Sequence, residues 1–225
     1  QYIYSYRDSG EELFVHLYIG SEAELTVRKQ QMKITQRTNY PWDGEVDLTI
    51  STEGETAFTI ALRQPGWCHD ATVSVNGEEI DTASSTTKGY TKIRRTWQDG
   101  DRIRLTLKMP VERIRANPRV RENSGKVALQ RGPVIFCLEE VDNGENLRDI
   151  RLSPETELSS HFEEQLLGGV SVITGTAWRS DPADIDDRLY TSSEFKKKPV
   201  TVKAVPYFAW SNRQPGEMLV WIREG

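Results

Sequence analysis

Hydrophobic and polar residues alternate through much of the chain. Val46, Leu48 and Ile50 alternate with Glu45, Asp47 and Thr49, and Phe58, Ile60 and Leu62 with Thr59, Ala61 and Arg63. Ile103, Leu105, Leu107 and Met109 alternate with Arg102, Arg104, Thr106 and Lys108. A period of two is the pattern of a strand with one face in a core and the other in water. Leu13 to Ile19 and Leu25 to Val27 read as earlier strands, and Gln1 to Tyr4 is strand-like as well. Val73-Ser74-Val75 runs into Asn76-Gly77, whose residues accept the positive φ angles of a two-residue hairpin turn, and Glu78 to Ile80 returns. Asp99-Gly100 marks a second tight turn, ahead of Arg102.

The second half is less regular. Lys126 to Gly144 reads KVALQRGPVIFCLEEVDNG, with a buried strand from Val134 to Leu138 that is entered through Gly132-Pro133 and left through an acidic turn. Further strands are expected at Val200 to Ala204, at the aromatic stretch Val205 to Trp210 and at Leu219 to Ile222. Helix signals are sparse. Ser160-His161-Phe162-Glu163 fits a capping box, which would start one turn over Glu164 to Leu167 before Gly168-Gly169 ends it. Many short strands with frequent turns predict an all-β protein of two tandem antiparallel β-sandwich domains. The boundary falls near residue 110, because Met109-Pro110 closes the clean alternation and the basic stretch beyond it is interrupted again by Pro118. The domains are then 1–109 and 110–225.

Charge and composition remove some classes of function. Lysine and arginine total 29 against 34 aspartate and glutamate, a net charge of −5, which argues against a nucleic-acid partner. No apolar run approaches the roughly 20 residues that span a bilayer, so no membrane partner is expected. The chain opens on Gln1 inside a strand-like stretch and shows no leader. It is therefore read as a fragment, with a cytoplasmic location as the default. Two cysteines, Cys68 and Cys137, are too few for a disulfide scaffold and read as unpaired apolar residues.

Candidate chemistry is thin. A catalytic triad needs a nucleophile, a base and an orienting group, yet the three histidines, His16, His69 and His161, lie in no nucleophile-elbow or phosphate-loop motif. His16 alternates with Val15 and Leu17 and fits a solvent or interface face. Cys68-His69 is too closely spaced for a structural zinc site. His161 sits in a polar stretch with no visible partner. Asp181, Asp184, Asp186 and Asp187 form the densest carboxylate group but lack the spacing of a calcium-binding hand, so a solvated loop is preferred to a looser calcium site. Lys196-Lys197-Lys198 also reads as a solvated loop. Of six tryptophans, Trp97 and Trp221 fall in strand patterns and are expected to be buried. Trp42 and Trp67 fall in turns, where either could meet carbohydrate.

The order of the stretches NYPWDGEVDLTI, FTIALRQPGWC, VSVNGEEI, GYTKIRRTWQDGDRIRLTLKMPV, NPRVRENSGKVALQRGPVIFCLE and VPYFAWSNRQPGEMLVWI resembles the C-terminal region of glycoside hydrolase family 127, the bacterial β-L-arabinofuranosidase family. The likeness covers essentially the whole chain. It implies an (α/α)6 barrel upstream that carries catalysis, followed by two β-sandwiches. It also implies a zinc-bound cysteine nucleophile, further cysteine and glutamate ligands and a glutamate acid/base, all in that barrel. Zinc would hold the nucleophile as thiolate. The family's paired cysteines precede the segment matching Gln1 to Tyr6, and neither Cys68 nor Cys137 matches them. No residue here is therefore nominated as catalytic, cofactor-binding or metal-ligating, and no cofactor is expected in this chain. Cys137 would be core, and Arg131 would make a structural salt bridge or an interdomain contact.

The resemblance implies a role in bracing the missing catalytic barrel, with a homo-oligomer interface as an accompanying expectation. A carbohydrate-binding module is the alternative, and a self-contained glycosidase with a carboxylate pair is a third reading. Tyr2, Tyr4, Tyr6, Phe14, His16 and Tyr18 form an aromatic face opposite Leu13, Val15, Leu17 and Ile19. Phe14 and Tyr18 are accordingly expected on the barrel-facing surface.

Overall fold

The structure, a computed structural model, describes residues 2–7, 11–181 and 189–225. The aspartates proposed as a loose calcium loop, apart from Asp181, lie outside the described residues. The chain divides into two compact units, Gln1–Met109 and Pro110–Gly225.

In the first unit the strands are β1 (Tyr4–Arg7), β2 (Glu12–Val15), β3 (Ser21–Val27), β4 (Gln30–Thr38), β5 (Glu45–Thr52), β6 (Thr56–Arg63), β7 (Ala71–Val75), β8 (Glu78–Ile80), β9 (Thr86–Thr87), β10 (Tyr90–Trp97) and β11 (Arg102–Leu107). They form a five-stranded sheet, β1-β2-β6-β10-β9, and a six-stranded sheet, β3-β4-β5-β11-β7-β8. The chain passes from one sheet to the other between β5 and β6, and again between β10 and β11. The Asp99-Gly100 turn therefore joins two sheets and closes no hairpin, with Gly100 at φ +82°. Asn76-Gly77 does close one, at φ +53° and +87°, pairing Val75 with Glu78. The alternating apolar residues meet between the sheets. Phe58, Ile60, Leu62 and Trp97 face Val46, Leu48, Ile50, Ile103 and Leu105 in one core. Trp97 is fully buried, and its indole N–H donates to the Phe58 carbonyl at 3.1 Å.

Two departures from the expected pattern occur in this unit. β2 and β6 run parallel, with Leu13 beside Ile60, where an antiparallel sandwich was expected. The three strands between them cross to the opposite sheet, which supplies the long connection a parallel pair needs. The strand read at Leu13 to Ile19 also stops at Val15. Beyond it the alternation inverts: Leu17 and Ile19 are exposed, while Tyr18 turns into the core and donates its hydroxyl hydrogen bond to the Arg63 carbonyl. Tyr18 is thus core, and its placement on an outer barrel-facing surface is wrong. The carbonyls of this segment are met by side chains: the amide of the buried Gln36 donates to Leu17 and Ile19 at 3.2 and 2.5 Å, and the Ser21 hydroxyl also donates to Ile19 at 2.7 Å.

The second unit contains β12 (Val111–Ile114), β13 (Lys126–Arg131), β14 (Val134–Glu139), β15 (Arg151–Leu152), β16 (Ser159–Glu163), β17 (Val170–Ser180), β18 (Lys197–Pro206), β19 (Met218–Leu219) and β20 (Ile222–Glu224). All belong to one sheet, in which β13 pairs with both β20 and β14. The ring β13-β20-β15-β17-β18-β14 thus closes on itself, so this sandwich is a continuous sheet folded over its core. Closure leaves fewer free strand edges than two open sheets would. Val127, Leu129, Phe136, Leu138, Leu152, Ile173 and Val202 fill it. Gly132, at φ +56°, and Pro133 make the two-residue turn that pairs Arg131 with Val134. Ser160 to Glu163 belong to β16, so the capping box starts no helix. Pairing with β17 satisfies this backbone instead. Lys197 and Lys198 open β18 opposite Ser180 and Arg179, and are exposed strand residues where a loop was expected.

Candidate functional site

The cysteines and histidines weighed from sequence do not gather into one site among the described residues. Cys68 is buried, and its thiol points at the carbonyls of Asp70 and Lys108, at 3.2 and 3.9 Å. Cys137 is buried in β14, and burial, followed by the Glu139 charge, pushes its thiol up from 9.0 to about 12. Such a thiol stays protonated near neutral pH and is a poor nucleophile and a poor metal ligand. The two cysteines form no disulfide with each other. Among the described residues no three His, Cys, Asp or Glu side chains gather as a metal site. The described residues of this chain therefore do not fit the zinc centre that the resemblance implies.

His16 bonds Ser5 Oγ through Nε2 at 2.7 Å and the Tyr90 hydroxyl through Nδ1 at 2.8 Å. The imidazole also stacks on Phe14, 5.8 Å between centroids. These bonds tie β1, the edge of the five-stranded sheet, to the strands behind it. Phe14 remains half-buried on the outer face of that sheet, with Lys92 6.0 Å from its ring centroid. His161 lies in β16 and meets Glu163 at 3.2 Å, so it does have a partner. Trp67 packs against the first core and stacks on Tyr40, with centroids 6.4 Å apart. Trp178 and Trp210 are the more open indoles, 37% and 40% exposed.

The second unit holds a groove of about 700 Å³ that sequence reasoning missed. Its walls include Trp221, Tyr207, Lys126, Arg148, Arg223 and Glu122. Trp221 was expected to be buried within a strand. It lies instead between β19 and β20, where the strand read at Leu219 to Ile222 breaks at residues 220–221, and it is half-buried. Tyr207 opens a short 3₁₀ turn, Tyr207–Ala209, where an aromatic strand was expected, and its ring stacks on Trp210 at 6.4 Å and 20°. β18 ends at Pro206, and the aromatic residues beyond it turn outward: Phe208 is 64% exposed. Lys126 donates to the Glu122 carbonyl at 2.6 Å, which fixes one side of the groove. Arg148 comes from the 3₁₀ turn Leu147–Asp149 and Arg223 from β20.

A polar staple positions the Tyr207 side. Arg213 reaches back from the loop after the aromatic turn to Glu139 and Asp142, donating from Nε to Glu139 at 3.2 Å and from Nη1 to Asp142 at 3.0 Å. Glu139 is buried and also accepts the Ser211 N–H at 3.0 Å. Glu140 accepts the Glu217 N–H at 2.7 Å, and Glu217 in turn accepts that of Leu147 at 2.7 Å. The acidic turn after Val134–Leu138, the short helix Glu140–Asn143, is therefore the socket for the Ser211–Glu217 loop. Its carboxylates serve anchoring. The sequence signal for this socket was present in LEEVDN and SNRQPGE, but only the fold brings them together.

Comparison with known proteins accounts for the whole arrangement. Residues 12–109 match the model of the β-L-arabinofuranosidase GH127 middle domain, and residues 111–223 that of the glycoside hydrolase family 127 C-terminal domain. The chain is 35% identical to a non-reducing end β-L-arabinofuranosidase of Bifidobacterium longum subsp. longum, over 99% of this chain and 34% of that protein. It superposes with a TM-score of 0.96 on a GH127 β-L-arabinofuranosidase from Geobacillus stearothermophilus T6, 51% identical over 100% of this chain and 35% of the other. A GH127 β-arabinofuranosidase structure matches at 0.87, 30% identical over 99% of this chain and 36% of the other. The chain thus spans about a third of the length of these relatives. It belongs to glycoside hydrolase family 127, as that family's middle and C-terminal domains.

Proposed function

We propose that these two domains are the non-catalytic support of a β-L-arabinofuranosidase-like glycoside hydrolase, bracing an (α/α)6 catalytic barrel formed by another part of the parent protein. The observation that supports this most is the match of the whole chain to only about a third of enzymes named for that activity. The internal chemistry agrees with it. The buried thiol of Cys137 is held protonated, and the buried carboxylate Glu139 is committed to Arg213. In the relatives' reaction type, nucleophile, zinc ligands and acid/base would then come from the remainder of the parent. The half-buried Phe14, His16 and Tyr90 cluster, on the outer face of the five-stranded sheet, is the proposed bracing surface on the first domain. The same surface could join two copies of the protein.

The test is turnover of an aryl β-L-arabinofuranoside by the purified protein, with and without added zinc. No turnover is expected in either case. Turnover that survives repurification and vanishes in a point variant would sink the proposal. A second reading, that the region also holds carbohydrate, has the Trp221 groove in its favour.

A further inference from the structure

We propose that the Trp221 groove of the second domain is a binding site for a carboxylated sugar, a uronic-acid residue. Its volume, about 700 Å³, lies within the range of small-ligand sites. Trp221 supplies a flat apolar wall, suited to the C–H face of a pyranose ring. Arg148 and Arg223 supply planar, permanently charged donors of the geometry that pairs bidentately with a carboxylate. Among the described residues neither arginine forms an ion pair, unlike Arg7, Arg28, Arg104, Arg113, Arg115 and Arg213. Lys126 adds a third cation, steadied by the Glu122 carbonyl.

The charge balance decides between sugar classes. Three cations, Lys126, Arg148 and Arg223, stand against one carboxylate, Glu122, on a protein whose net charge is −5. A neutral sugar could accept hydrogen bonds from the guanidinium groups but would leave their charge uncompensated. A bare anion would leave the indole unused. A uronic acid uses both, and the Glu122 carboxylate can accept from its hydroxyl groups. The walls are also preorganised, which lowers the entropy lost on binding. Trp221 is held between two strands, and the Tyr207 turn precedes a loop stapled by Arg213.

This site is independent of the bracing role. It could fail while the protein remains inactive on arabinofuranosides, and turnover in that assay would not remove it. The test is calorimetric titration of the protein with galacturonic acid, galactose, acetate and inorganic phosphate. Galacturonic acid is expected to bind saturably, and the other three about tenfold more weakly or worse. Trp221→Ala and the double variant Arg148→Ala/Arg223→Ala should each abolish the heat while unfolding as cooperatively as the parent. If Trp221→Ala does not fold, quenching of Trp221 fluorescence by galacturonic acid, compared between the parent and Trp221→Phe, takes its place. Equal affinity for galactose would overturn the charge argument. Equal affinity for acetate or phosphate would reduce the site to an anion patch, and no saturable binding of galacturonic acid would remove it.

Discussion

Gln36 sits where the alternation of β4 demands an apolar residue, between Ile34 and the strand end. It is buried there because the neighbouring segment 16–20 has left the sheet and needs hydrogen-bond donors. Leaving the Leu17 carbonyl without this donor should cost about 1–3 kcal/mol, while the Ile19 carbonyl still accepts from the Ser21 hydroxyl at 2.7 Å. Gln36→Leu is therefore expected to lower the unfolding free energy by that amount, and the denaturation midpoint with it, despite its greater apolarity. An unchanged midpoint would show that water replaces the amide freely. Gly44 is a second single-residue constraint. A Cβ there would lie 1.9 Å from the Leu107 carbonyl oxygen, while the Gly44 carbonyl accepts the Leu107 N–H at 2.9 Å. Backbone cannot yield as a flexible side chain can, so Gly44→Ala should destabilise by about 2–3 kcal/mol. A denaturant titration checks both variants. The cysteines offer a simpler reading: two titratable thiols after denaturation without reductant, against slow reaction in the folded protein, follow from their burial.

At the scale of elements, the closest coupling is between the Val134–Glu139 strand with its following helix and the loop that carries Arg213. Glu139 and Asp142 have side chains 7% and 13% exposed, and Arg213 neutralises both. Replacing Arg213 by alanine would strand two carboxylates that are mostly removed from water, with a cost of about 2–4 kcal/mol. The damage should be local first. Amide exchange in residues 207–217 is expected to accelerate more than exchange in β17 or β18, and Tyr207 should lose its fixed position beside the groove. Equal acceleration throughout the domain would mean that the staple supports global stability only. The hairpins show how legible such elements are. Asn76-Gly77 declares its turn chemically. The β3–β4 hairpin turns through Arg28 and Lys29 at φ +49° and +67°, residues that carry no turn signal, so β4 was not foreseen.

At the scale of the molecule, both domains keep weak acids neutral by burying them. Burial raises Tyr4 and Tyr40, raises Tyr18 far more, and lifts the Cys137 thiol from 9.0 to about 12. A group whose folded-state value is raised holds its proton more tightly in the folded protein than in the unfolded chain. The stability it contributes is complete below the unfolded value and is lost as pH climbs through the folded one. Thermal stability should therefore fall progressively from about pH 9 toward pH 12, and Cys137→Ala should flatten the early part of that slope. A melting temperature that does not vary over this range would refute the burial argument. Glu163 works at the acid end. Lys203 lowers its value, so its contribution is present above the ordinary carboxylate range and is lost as pH falls through the lowered value.

The all-β class, the inner faces of β5, β6 and β11 and the character of the two lone cysteines were determined by the sequence itself. Strand periodicity and residue polarity are local properties, and neighbours along the chain reveal them. The ordered stretches also carried the family likeness. Tertiary structure alone decided which strands share a sheet, that β2 and β6 run parallel, and that the second domain's sheet closes into a ring. Hydrogen-bond partners are chosen across long sequence separations, where periodicity holds no information. It also decided that Tyr18 is core while Phe14 stays on the outer face, because the chain leaves the sheet at Val15 and inverts its phase. The groove is the furthest from the sequence: Lys126, Arg148, Tyr207 and Trp221 converge only because β13, β20 and the Arg213-stapled loop meet, and none of the four carries a local pattern that announces it.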